Sequence, residues 1–62
     1  MKRRDLMKRL AKIAKAQGVE MRITEGGSHT KVRIGDRSQM VPRHNEVNEM
    51  TAKAIIRAME GS

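Results

Sequence analysis

His29 directly follows Gly26-Gly27-Ser28, and Lys31 and Arg33 follow it at intervals of two. In an extended backbone alternate residues share a face, so this spacing sets one imidazole beside two cations. An imidazole ionises near neutral pH and can move protons, while a neighbouring Lys or Arg can hold a phosphodiester and stabilise charge that grows on it during cleavage. RNA brings its own nucleophile. If the 2′-hydroxyl attacks the adjacent phosphorus, the protein need only remove one proton, supply another and steady the phosphorane. Such chemistry requires no metal and no cofactor. Spacing alone leaves His29 closer to an ordinary strand-edge residue than to a catalyst.

The other candidates are weaker. His44, within Pro42-Arg43-His44-Asn45-Glu46, is a possible second acid or base, but a loop histidine in contact with backbone or water is the better expectation. The two histidines and the scattered carboxylates match no zinc or calcium spacing, so no metal site is expected. Gly26-Gly27-Ser28 lacks the strand, the Lys-Ser/Thr pair and the helix of a phosphate-binding loop, and is a hairpin turn first. Lys8, Arg9, Lys12 and Lys15 form a basic stripe in which Lys8 and Lys12 can reach phosphates, although such a run is usually a solvated surface.

The elements that must position these residues follow from periodicity. Leu6, Leu10, Ile13 and Ala14 recur at helical spacing between Arg4 and Gln17, Met7 and Ala11 widen the stripe, and Gly18 is a natural stop. The period changes to two over Val19–Thr24, with Val19, Met21 and Ile23 on one side. After the Gly-Gly-Ser turn, Thr30, Val32 and Ile34 alternate with His29, Lys31 and Arg33, which predicts a hairpin. Gly35-Asp36-Arg37 is a second turn, and Ser38–Val41 a short third strand ended by Pro42. Arg43–Val47 reads as a loop. Asn48 is expected to cap a helix whose apolar face is Met50, Ala54, Ile55, Ala58 and Met59. The predicted fold class is α+β, in the order α-β-β-β-α: a three-stranded antiparallel sheet with both helices on one face.

The chain has 62 residues, enough for one domain over 1–62. A core of this size rarely supplies more than about 3 to 5 kcal/mol, and here no Phe, Tyr, Trp or Cys enlarges or staples it. Six Met help to fill it, but Met specifies shape poorly. A net charge of +7 favours polyanions, with nucleic acid foremost. The missing aromatics argue against base-stacking platforms. The charged start runs into Asp5, Lys8 and Arg9 with no apolar region behind it, and no stretch has the length of a membrane span. A cytoplasmic protein without membrane contact is expected.

The order of elements, Gly26-Gly27-Ser28-His29 opening a strand, Val41-Pro42-Arg43-His44 before the last helix and the Ala-rich helix itself together resemble the HicA (YcfA-like) toxins over nearly the whole chain. The resemblance implies a minimal double-stranded-RNA-binding fold and a ribosome-independent mRNA interferase that uses the histidine of a Gly-Ser-His motif, here His29. It also implies a HicB-like antitoxin as partner, covering the site of His29. Lys31 and Arg33 would help to position phosphate, Gly26 and Gly27 would let the backbone approach RNA, and Ser28 would belong to the same RNA-binding surface. Two features depart from the family: Arg3 and Arg4 stand where such toxins often carry a small capping residue, and the aromatic often found near the first strand is missing. A non-catalytic double-stranded-RNA-binding module with the same basic surface, or an adaptor that only binds protein, would be consistent with the same residues.

Overall fold

The computed structural model describes residues 1–61. Helix α1 (Arg3–Gln17) is followed by strands β1 (Met21–Glu25), β2 (His29–Ile34) and β3 (Arg37–Pro42) and by helix α2 (Glu49–Glu60). The strands pair antiparallel in the order β1-β2-β3, so β2 is central.

Leu6, Leu10, Ile13 and Ala14 form the buried side of α1, as their spacing predicts, while Met7 is only partly covered and Ala11 is exposed. The helix ends at Gly18, whose φ of 70° places it in the left-handed region. Its N-cap residue, Lys2, makes no side-chain cap bond. Instead the start of α1 is tied to the loop before α2: Arg3 N–H donates to the Asn45 carbonyl (2.8 Å) and Val47 N–H to the Met1 carbonyl (2.7 Å). This loop, read from sequence as an open connection, thereby buries Val47 in the core.

On β2, Thr30, Val32 and Ile34 are buried while His29, Lys31 and Arg33 are exposed. The core joins that inner face and Val41 to α1 and to Ala52, Ile55 and Met59 of α2, so both helices cover the same side of the sheet. The β2–β3 connection is tight. Gly35 has a φ of 62° and, among the described residues, no non-glycine residue has a positive φ, the glycine-first pattern of a type II′ turn.

Four strand boundaries and one helix face differ from the periodicity. Val19 lies outside β1, because its N–H continues the helix stop by donating to the Ala14 carbonyl (3.0 Å). The strand runs one residue further, to Glu25, and its apolar side is poorly covered: Ile23 is 47% exposed. Strand β3 extends to include Arg37 and Pro42, and Pro42 is tolerated because it sits at the last position of an edge strand. Helix α2 begins where Asn48 caps it, its Oδ1 accepting from Met50 N–H at 2.8 Å and Thr51 N–H at 3.4 Å. Its buried face, however, is Ala52, Ile55 and Met59, with Met50 81% exposed and Ala54 in solvent. The small, weakly contrasting Ala residues of this helix define its orientation poorly, and the docking of Ile55 and Met59 decides it.

Candidate functional site

The outer face of the sheet carries the predicted site. Cross-strand pairing sets His29 opposite Pro42, Lys31 between Thr24 and Met40, and Arg33 between Arg22 and Ser38. Directly paired residues share a face, so the outward positions of the three strands are Arg22, Thr24, His29, Lys31, Arg33, Ser38, Met40 and Pro42. None is acidic.

His29 opens β2 and is exposed, with Nδ1 3.2 Å from Ser28 Oγ. Which of the two groups donates depends on the imidazole tautomer. Nε2 makes no hydrogen bond to another group among the described residues, which leaves it available to a ligand. Lys31, one alternation along the strand, is its nearest cationic neighbour on β2, about 7 Å away along the backbone. Arg33 shares the face but not the locality. It lies about 13 Å along the strand from His29, and its Nε is held by the Gly35 carbonyl at 2.9 Å.

The turn before His29 is held from beneath by residues that sequence reasoning did not single out. Thr30 lies on the core side of β2 with no solvent exposure. Its hydroxyl donates to Glu25 Oε1 at 2.8 Å and accepts from Arg3 Nη2 at 2.7 Å. The same Glu25 oxygen accepts from Arg43 Nη2 at 2.8 Å, and Arg43 also donates to the Gly26 carbonyl at 2.6 Å. Arg3 Nε completes the frame on the Pro42 carbonyl at 3.0 Å. The end of β1, the start of β2, the end of β3 and the start of α1 are thus locked into one polar assembly at the hairpin mouth. Arg3 thus ties the start of α1 to both β2 and β3. The Glu25 carboxyl is held below its usual range, first by the Thr30 hydroxyl and further by Arg43, against desolvation, an opposing effect larger than the charge of Arg43 alone. A signal for this assembly was present in the sequence: a threonine on an otherwise apolar strand face must find polar partners once buried.

Gly26 and Gly27 have no positive φ, so the turn does not demand glycine for its backbone conformation. A side chain at Gly27 would meet nothing within 4 Å, whereas one at Gly26 would come to 3.4 Å from the His29 carbonyl. The backbone at Gly27 is therefore open to close approach from outside.

Lys8 and Lys12 are exposed on α1. With Arg4 and Lys15 they form a row on the solvent side of the helix, opposite its buried stripe. Since α1 covers the inner face of the sheet, this row and His29 belong to different surfaces of the molecule. Arg9 turns from the row toward α2, where its Nη2 lies 3.8 Å from Glu60 Oε2. His44 is exposed in the loop after β3 and makes no hydrogen bond through its side chain among the described residues. Among those residues no three His, Asp or Glu gather into a group that could hold a metal ion, and no helix is long and apolar enough to cross a membrane. No known family model, curated protein or solved structure matches the chain at a significant level.

Proposed function

We propose that the chain is a metal-independent endoribonuclease of the HicA-like toxin type, cleaving mRNA without the ribosome and restrained by a HicB-like antitoxin. The observation that carries this reading is the exposed His29 imidazole at the mouth of a braced hairpin, on a sheet face whose strand positions include cations and no carboxylate. In the proposed reaction His29 exchanges protons with the 2′-hydroxyl or the leaving oxygen, and Lys31 stabilises charge on the phosphorane. Ser28 orients the ring through Nδ1. Arg33, further along the strand, contacts phosphate outside the scissile linkage, and the open backbone at Gly27 admits the RNA strand. An acidic antitoxin surface would complement this cationic face.

The test is incubation of the purified chain with labelled mRNA in chelator, beside His29→Ala. Cleavage by the native chain, lost in the variant while RNA binding persists, supports catalysis by His29, because transition-state stabilisation then separates from ground-state binding. Absence of cleavage by the native chain refutes it and favours a non-catalytic double-stranded-RNA-binding module. The specific observation behind that second reading is the row of exposed cations on α1, which faces away from His29 and would contact RNA without it.

A further inference from the structure

The two edges of the sheet are unequally protected. In an antiparallel ladder, hydrogen-bonded and non-hydrogen-bonded pairs alternate. Gly26 N–H donates to the His29 carbonyl (3.1 Å), which fixes the phase: Thr24–Lys31 and Arg22–Arg33 are the bonded pairs of β1 with β2. The N–H and C=O groups of Met21, Ile23 and Glu25 therefore point away from β2, and no backbone or side-chain group among the described residues bonds them. Along β3 the same phase turns Ser38, Met40 and Pro42 outward. That edge is guarded at its Pro42 end, since Pro42 has no N–H and its carbonyl is taken by Arg3, while α2 packs against the strand from the inner face.

The side chains around the β1 edge specify what fits it. On the helix side lie Met21, partly buried, and Ile23, 47% exposed, with exposed Val19 just before the strand. On the outer side Arg22 stands directly opposite Arg33, a like-charge pair that is unfavourable unless an anion joins it. The partial compensation is Glu20, whose Oε2 lies 3.7 Å from Arg22 Nε between two largely solvated side chains.

We propose that the β1 edge is a docking site for an extended strand of a partner protein whose side chains alternate between apolar and acidic. Main-chain bonds to Met21, Ile23 and Glu25 would supply affinity, as in other strand additions. Apolar side chains of the incoming strand would cover Ile23 and Met21, and an acidic one would sit beside Arg22 and Arg33. A second copy of this chain suits the edge less well, because each copy carries +7 and would bring its own Arg22 to a face that already has an excess of cations.

The experiment uses the full chain, labelled with ¹⁵N, and a short synthetic peptide alternating valine and glutamate. Amide hydrogen exchange is followed residue by residue. Binding at the β1 edge slows exchange at Met21, Ile23 and Glu25 by about tenfold or more, while Arg22 and Thr24, already bonded to β2, change little. A peptide alternating valine and lysine does not protect these amides, and Ile23→Lys abolishes protection by the acidic peptide while leaving the far-ultraviolet dichroism unchanged. The proposal is overturned if the acidic peptide protects no β1 amide, if it protects Ser38 and Met40 instead, or if the lysine peptide performs equally. Protection of the three amides by concentration alone, with a dimer in sedimentation, would make the occupant a second copy and overturn the assignment to a partner.

Discussion

The Thr30 hydroxyl, wholly buried, donates a hydrogen bond to Glu25 Oε1 at 2.8 Å and so fastens the start of β2 to the end of β1 immediately beside the residue proposed to act on RNA. Because it also accepts from Arg3, one side-chain oxygen joins the first helix, the hairpin and, through Arg3, the last residue of β3. Thr30→Val preserves shape and removes both bonds. Their partners lie near solvent and can be rehydrated, so the expected loss is about 1 to 2 kcal/mol. Urea unfolding should show a lower midpoint with an unchanged slope, and amides of residues 26–28 should exchange faster.

Acid should weaken the same corner. Glu25 titrates below its usual range in the folded chain, through the Thr30 hydroxyl first and Arg43 second. Its contribution is therefore fully present above the unfolded carboxylate value of about 4.3 and is lost as the pH falls through the lower folded value. Stability measured by urea midpoint should decline over this acid range, and the decline should be shallower in both Thr30→Val and Arg43→Ala. An equally steep decline in those variants would assign the acid sensitivity to other carboxylates.

Gly27→Ala separates folding from access. Gly27 has an ordinary φ and open space where a Cβ would stand, so the substitution should leave stability within about 0.5 kcal/mol or raise it slightly. If RNA passes close to this backbone, cleavage should nonetheless fall. A variant that is as stable and as active as the native chain would remove Gly27 from the RNA path.

The two cationic surfaces should behave differently. On the proposed reaction, Lys31→Ala reduces the rate of cleavage at saturating RNA, since Lys31 is on the His29 face. The double variant Lys8→Ala, Lys12→Ala should weaken binding, reduce its salt dependence by roughly two phosphate contacts and leave the saturated rate unchanged. Single-turnover kinetics at several salt concentrations distinguish these patterns.

Much of this architecture could be read from residue order because it depends on local periodicity. Leu6, Leu10 and Ile13 announce α1, and the alternation of Thr30, Val32 and Ile34 with His29, Lys31 and Arg33 assigns both faces of β2. The orientation of α2 was less legible, since Ala52, Ala54 and Ala58 differ little in hydrophobic contrast and tertiary docking selects among them. The frame beneath His29 was least legible. Arg3 meets Thr30 across 27 positions and Arg43 meets Glu25 across 18, and polar contacts at such separations leave no period to detect. The placement of Arg33 was half legible: its face follows from alternation, but its bond to Gly35 depends on the turn geometry.

The meander β1-β2-β3 pairs only sequential neighbours, whereas the core beneath it requires α1 and α2 together. On a ribosome, the hairpin bearing His29 would emerge before α2 exists to support it. Until Ile55 and Met59 have been added, the nascent polypeptide lacks a substantial part of its hydrophobic interior. The hairpin therefore gains its full support only once α2 has joined α1 beneath it, and the geometry around His29 becomes rigid late in folding.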